Sequence, residues 1–398
     1  MKVNRTEQQI IKRNHYLWHI IDRYCLYSKN VYNEANYIVR QEFINNGKML
    51  SAYDVQKIMQ SMDCYKECGS QAAQKTIQLV DKMWKSYFKS IKDWGKHPSK
   101  YLGKPKLPKY LKKNGRQVFM LKNIQCSLSE GIFRISYKPF NQYTVATHAT
   151  GRLIQCRFVP KSSHYVMEIV YEIEVPECFS EHNRVCSIDL GTENFVTMVN
   201  NVGEKPVVIK GGVIKSTNQF YNKRKAEIQS ELKKSTGSNW SKKLQLLTDK
   251  RYEKIKYIMH CCSKSIVEYC VLYSIDTLII GQNKRWKQTK NGMQNFIYIP
   301  YEMFILQLQS KCEENGISFI ATEEGYTSGT SFLDNELPIK DNYNKSRRVY
   351  RGLFISNKGK SINADVNGAY QIMKKVFPNV FDNGIEDAGL HPMQMKVA

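Results

Sequence analysis

The sequence predicts a multidomain α+β protein, and three changes of texture along its 398 residues carry that prediction. Apolar residues recur at helical spacing up to about residue 91. Short β-branched runs broken by turn residues fill 117–175, and strands alternate with helices from 185 onward. A helical lobe, a small antiparallel β-barrel and an α/β sheet account for the three in turn.

In the first region Ile10, Ile11, Leu17, Ile20, Ile21, Leu26, Val31, Tyr32, Ala35, Ile38 and Phe43 predict one long helix or two over residues 9–47, ended by Asn45-Asn46-Gly47. A short helix near 52–62 and a third over about 69–91 complete a basic helical lobe. Residues 89–116 alternate Lys and Arg with Trp94, Tyr101 and Tyr110 and carry Pro98, Pro105 and Pro108. Proline prevents regular structure there, and the segment suits either nucleic-acid contact or a solvated linker. Strands are predicted at 118–121, 132–137, 143–146, 153–159 and 165–175, followed by a linker over 176–183.

The third region opens with a hairpin. An apolar run from Val185 ends in Asp189, Gly191 permits a tight turn, and Phe195 to Val199 return. A third strand is expected at 206–210, then long basic helices at 217–233 and 240–273 around a flexible loop at 234–239. Buried strands at 277–281 and 317–322 flank a helix at 300–315. A last helix spans 363–376, and the remaining residues are expected to fray. Strands and helices in this order predict a sheet of the RNase H type.

Charge narrows the partners. Lys+Arg 60 against Asp+Glu 36 gives a net +24, and the excess is spread along the chain among 25 Tyr and 16 Phe, which favours nucleic acid over a membrane surface. Hydrophobic content of 42% argues against global disorder. Without an apolar leader or spanning segment the expected location is cytoplasmic, in a bacterial nucleoid. The 11 cysteines are scattered and suit reduced core thiols; Cys64/Cys68 and Cys261-Cys262 have no partner pair at zinc-ribbon spacing. The 8 histidines form no catalytic constellation.

Acids fall where such a sheet would gather them. Asp189 ends the first strand, Glu323 and Glu324 follow the strand at 317–322, and Asp365 lies in the first turn of the last helix. Each has an ordinary explanation alone, as a turn residue, a solvated pair or a helix-dipole partner. Together, from distant segments of a basic protein, they match what two-metal phosphodiester hydrolysis needs, carboxylates holding two divalent ions about 3.5–4 Å apart.

Asp-Leu-Gly at 189–191, Tyr-Thr-Ser at 326–328 and Asn-Ala-Asp-Val-Asn-Gly-Ala at 363–369 resemble the RuvC-type motifs of TnpB, a family of transposon-encoded RNA-guided nucleases related to type V CRISPR effectors and to Fanzor proteins. The resemblance spans nearly the whole chain, with Lys104-Pro-Lys-Leu-Pro-Lys-Tyr110 similar to the segment entering the family's wedge barrel. It implies wedge residues at 1–8 and 96–182, a recognition domain at 9–95 and a RuvC-like nuclease domain at 183–398. It also implies a guide RNA from the transposon end, a double-stranded DNA target beside a short adjacent motif, two Mg2+ ions and a monomer. Asp189, Glu324 and Asp365 would be the catalytic metal ligands, and Gln71, Gln74 and Lys75 could read the adjacent motif.

The sequence departs from the family twice. The usual second acid falls at Gly281, which Gln-Asn-Lys-Arg-Trp-Lys follows. Fanzors and a TnpB subgroup carry a relocated Glu before the Thr-Ser motif, and Glu324 fits that position best, with Glu323 the neighbouring alternative. The family's zinc ribbon is also missing, since residues 329–364 contain no cysteine, so no structural zinc is expected. The insert at 329–362, with Lys345, Arg347, Arg348 and Arg351, is expected to touch phosphates. Rival readings are a nuclease-dead RNA-guided repressor, for which Gly281 speaks, a type V CRISPR effector, and a transposase that joins DNA directly.

Overall fold

The structure, a computed structural model, describes residues 1–140, 143–178, 181–283, 297–350, 352–381 and 390–397. The chain divides into Lys2–Glu174 and a second unit of Val175–Ala398 with Met1.

The first unit runs β1 (Lys2–Ile11), α1 (Trp18–Asn46), α2 (Ala52–Met59), α3 (Asp63–Cys68), α4 (Ser70–Lys96), β2 (Phe119–Lys122), β3 (Cys126–Ser129), β4 (Ile132–Ile135), β5 (Thr144–Ala146), β6 (Arg152–Pro160) and β7 (Tyr165–Glu174). The helix expected from residue 9 is therefore a strand as far as Ile11. All ten residues of β1 pair antiparallel with β7, from Lys2 opposite Glu174 to Ile11 opposite Tyr165. That ladder overrides a weak local helical pattern, and the helix starts after a turn, at Trp18. The short helix expected at 52–62 is α2, opened by a Ser51–Asp54 capping box, and the short α3 between it and α4 was not foreseen. β3 escaped the sequence reading because Cys-Ser-Leu-Ser has little β-branched character.

The strands form two sheets, β1-β7-β6-β2 and β3-β4-β5. Helices and strands share one core, in which Tyr32 and Trp84 are buried with Phe119, Phe133, Phe140 and Phe158. The proline segment is tied down: Tyr32 donates to the Lys109 carbonyl, Asn36 to that of Pro108, and Asn33 exchanges hydrogen bonds with the backbone of Leu111.

The second unit runs β8 (Val185–Leu190), β9 (Asn194–Asn200), β10 (Val207–Lys210), α5 (Gly212–Thr236), α6 (Lys242–Leu272), β11 (Thr277–Gln282), α7 (Tyr301–Glu314), β12 (Ser318–Glu323), β13 (Leu353–Ile355), β14 (Ser361–Asn363), α8 (Ala364–Val376) and β15 (Met393–Gln394). Its six-stranded sheet has the order β12-β11-β8-β9-β10-β15. β8, β9 and β10 are antiparallel neighbours, whereas β11 and β12 run parallel to β8. The tail expected to fray supplies β15, parallel to β10. Alternation divides the side chains. Cys186, Ile188, Leu190, Leu278 and Ile280 pack toward α6 and α7, while Val185, Val199 and Ile279 pack with α8. No helix among the described residues is long and apolar enough to cross a membrane.

One ionic clamp in the first unit gives a test. Asp22 of α1 accepts from Arg116 at 2.7 and 2.9 Å and from the Tyr165 hydroxyl at 2.7 Å. Arg116 above all holds the Asp22 carboxyl below its ordinary 3.8, against the opposing effect of burial. The pair is partly exposed, so Asp22→Asn is expected to cost about 1 kcal/mol at neutral pH. A depressed pKa stabilises above the ordinary value and is lost as pH falls through the folded one. Denaturant melts of wild type and variant should therefore differ at pH 7 and converge in strong acid.

Candidate active site

α8 is the element that assembles this site. Asn363 caps it, its side-chain oxygen accepting from the backbone N–H of Asp365 at 3.0 Å and of Val366 at 3.2 Å. Asn367, fully buried, accepts from the Phe332 N–H and donates to the Thr330 carbonyl, which fixes the loop after the Tyr-Thr-Ser segment. Ser187 of β8 donates to the Ala369 carbonyl at 2.7 Å. Gly368 faces Asp189: a β-carbon there would lie 2.8 Å from Asp189 Oδ2. Asn363, Asn367 and Gly368 of the closing motif thus each make a contact that depends on the residue type.

The parallel strands β8 and β12 bring Asp189 and Glu324 to the same edge of the sheet. The two-residue period puts Ser187, Asp189 and Ile279 on the α8 face. Glu324, one residue past β12, is also on that side. Its β-carbon lies 3.4 Å from where Gly281 would carry one, and a side chain at 281 would also meet Ile372 Cδ1 at 2.6 Å. Glu323 is exposed and pairs in register with Gln282. Glu324 Oε2 is buried without a hydrogen-bond partner among the described residues.

The acids feel one another. Burial, then the charges of Asp365 and Glu324, hold the Asp189 carboxyl well above the ordinary range, with Arg348 opposing. Burial also raises Glu324, against a hydrogen bond from Asn283. Tyr301, whose hydroxyl donates to the Gly191 carbonyl at 3.1 Å, is pushed upward by burial and then by Glu324 and Asp189. Asp365 accepts from Asn194 Nδ2 at 2.7 Å and from Arg348 at 2.8 Å. The sequence reading missed Asn194 as a partner, and only its place just after the Gly191 turn hinted at it.

Hard carboxylate oxygens, one of them buried and unpartnered, fit a divalent cation by donor chemistry. Their present spacing is open: among the described residues no group of three His, Cys, Asp or Glu side chains stands close enough to hold an ion. Mutual repulsion keeps uncompensated carboxylates apart, and Arg348 and Asn194 engage Asp365.

The insert modifies another expectation. Arg347, expected to reach phosphate, has a side chain only 9% exposed. It donates to Glu336 at 2.8 Å and to the carbonyls of Gly329 and Asn342, and lies 5.5 Å over the Phe354 ring. Burial works against the Glu336 charge, but Arg347 holds its carboxyl below the ordinary range. A guanidinium with five acceptor atoms, the Asn357 side-chain oxygen at 3.4 Å among them, cross-links the insert, so it is a scaffold group. Lys345 begins a short turn ahead of it. Arg351, and Lys284 to Lys287 after the Gly281 strand, lie outside the described residues. In the first unit, Gln71, Gln74 and Lys75 are half-buried on α4; Gln74 accepts from Lys122, and Gln71 Oε1 is buried without a partner among the described residues.

Residues 168–287 match the family described as probable transposase, OrfB of IS605, and residues 301–372 match the Cas12f1-like TNB domain. The TnpB-like protein ORF457 of Acidianus two-tailed virus is 24% identical over 386 residues, covering 87% of this chain and 81% of its own. Among solved structures, a Cas12f1–sgRNA–target DNA complex aligns at TM-score 0.38 and 15% identity, over 93% of this chain and 98% of that one. A CRISPR-Cas12f ternary complex aligns at TM-score 0.40 and 14% identity, over 89% and 80%. Asp189 falls within the first match, and Glu324 and Asp365 within the second. The chain is thus similar over parts of its length to the OrfB and Cas12f1-like TNB families, and over most of it to a TnpB-like protein.

Removing the insert's cross-link should be costly because Glu336 would keep a buried charge. Arg347→Met is expected to lose about 3 kcal/mol. Hydrogen exchange should show the loss concentrated in residues 329–362, with β1–β7 unaffected.

Proposed function

We propose that this chain is an RNA-guided DNA endonuclease of a transposon, with an RNase H-like nuclease sheet whose metal ligands are Asp189, Glu324 and Asp365. The observation that carries the reading is the convergence of three acids from β8, α8 and the end of β12, near enough that the charges of Asp365 and Glu324 add to burial in raising the Asp189 carboxyl. The relocated second acid is supported by packing: Gly281 has no room for a side chain, and Glu324 starts beside the space that one would fill. Alternation also favours Glu324 over Glu323.

When bound, two Mg2+ ions would neutralise charge at the scissile phosphate and activate water for hydrolysis. The chain's own groups prepare for that. α8 and the sheet cover one side of Asp189, Gly368 leaves its carboxylate room, and Tyr301 donates to the carbonyl of Gly191 in the turn beyond it. Under this reading the two sheets of the first unit act as the wedge and its helices as the recognition lobe, with Gln71, Gln74 and Lys75 candidates for the adjacent motif. α5, α6 and the loop between them, basic and with exposed Phe220, Trp240 and Tyr257, suit a guide RNA from the transposon end. Base pairing would read the DNA target. The chain would act as a monomer in a bacterial cytoplasm, at the nucleoid.

A second reading, an RNA-guided repressor without cleavage, has one observation in its favour, the engagement of Asp365 by Arg348 and Asn194. Plasmid cleavage decides between them. Protein purified with RNA from its downstream flank is given a fixed target beside randomised flanks in Mg2+. Flank-dependent cutting is expected for wild type and Glu323→Ala and is expected to vanish in Asp189→Ala and Glu324→Ala, with RNA binding kept in all four. Flank-dependent binding without cutting by wild type would establish the repressor. Gly368→Ala, which crowds Asp189 without removing an acid, should lower cutting about 10- to 100-fold, the range for groups that orient ligands.

A further inference from the structure

Both oxygens of Asp365 are engaged. Arg348 donates to Oδ1 at 2.8 Å and Asn194 to Oδ2 at 2.7 Å, with Lys210 donating to Asn194 Oδ1 at 2.8 Å. Arg348 also favours the charged form of Asp189, against burial and the two neighbouring acids. In this state one guanidinium supplies the positive charge that a divalent ion would otherwise bring to the cluster. Guanidinium and ion cannot share Asp365 cheaply, since they compete for one oxygen and repel each other in a poorly hydrated site.

Arg348 differs from its neighbour in being reachable by solvent. Its neighbour Arg347 is buried and anchored at Glu336, Gly329 and Asn342. Arg348 is 31% exposed, and Val349 and Tyr350 beyond it are 49% and 72% exposed. The anchored residue fixes the turn while the next side chain faces both the acids and solvent. A phosphodiester offers a guanidinium the same bidentate geometry as a carboxylate, without the cost of staying near buried acids.

We propose that Arg348 is a latch on the acid cluster: it holds Asp365 until a nucleic-acid phosphate draws the guanidinium away, so that strand binding and divalent-cation binding strengthen each other. Arg348 is thereby a positioning residue, acting through Asp365. The proposal rests on the reading of Asp189, Glu324 and Asp365 as metal ligands. Linkage makes the coupling reciprocal, so it is measurable from the metal side without any cleavage.

The test is Mn2+ titration of the full-length chain, freed of nucleic acid and followed by electron paramagnetic resonance. It is run with and without a nuclease-resistant phosphorothioate oligo(dT). Arg348→Gln, which keeps size and loses charge, is expected to bind Mn2+ roughly 5- to 10-fold tighter than wild type without the oligonucleotide, toward the lower end of typical site couplings. Arg348→Lys should stay near wild type. The oligonucleotide should tighten Mn2+ binding to wild type by a similar factor and leave Arg348→Gln unchanged. Equal or weaker binding by Arg348→Gln, with Asp365→Ala still abolishing the site, overturns the latch and leaves the metal-site reading standing. Mn2+ binding indifferent to both Asp365→Ala and Glu324→Ala overturns the site reading and the latch with it.

Discussion

The packing of α8 against the sheet is the constraint on which the second unit depends. Gly368 lies against Asp189, Ser187 donates to the Ala369 carbonyl, and Ile372 fills the space over Gly281. These contacts cover Asp189 on the α8 side and set the first turn of the helix, with Asp365, beside it. The same helix reaches the other way, through Asn367, to hold the loop at 330–332. One short helix therefore determines the burial of one acid, the position of a second and the backbone that leads away from the third.

Burial of like charges has a cost that the fold meets with local donors. Asp189 shares its surroundings with Asp365 and Glu324, and each added negative charge makes its ionised form harder to keep. Arg348 and Asn194 offset part of that at Asp365. Glu324 keeps one buried oxygen without a partner. Such a cluster is poor as a stability device and reasonable as a binding site, because an incoming cation is worth most where counter-charge is incomplete.

The insert shows how a loop-rich segment is held without cysteines. Arg347 gathers Glu336, the carbonyls of Gly329 and Asn342 and the face of Phe354, in a pocket where its side chain is almost fully covered. Gly329 is part of this arrangement, since a β-carbon there would lie 2.5 Å from the Tyr343 ring. The first unit uses polar groups similarly, α1 fixing a proline-rich strand of chain through Tyr32, Asn33 and Asn36. In both units irregular backbone is ordered by side chains from regular elements.

Much of this was legible in the sequence because it depends on local periodicity. The hairpin around Gly191, the buried runs of β11 and β12, the long helices and the capped start of α8 all follow from patterns within a dozen residues. The candidate acids were legible for the same reason, as carboxylates at the ends of those runs. What needed the tertiary structure was every choice between neighbours or between partners far apart in the chain. Residues 2–11 became a strand because β7, some 160 residues later, pairs with them. Met393–Gln394 became a strand because β10 offered an edge. Arg347 and Arg348 are adjacent and alike in sequence, yet one is a buried cross-link and the other faces an acid. Local sequence encodes which elements form, since their periodicity is a property of consecutive residues. Which side chain meets which is decided only when distant elements pack, because burial and charge compensation belong to the assembled surroundings.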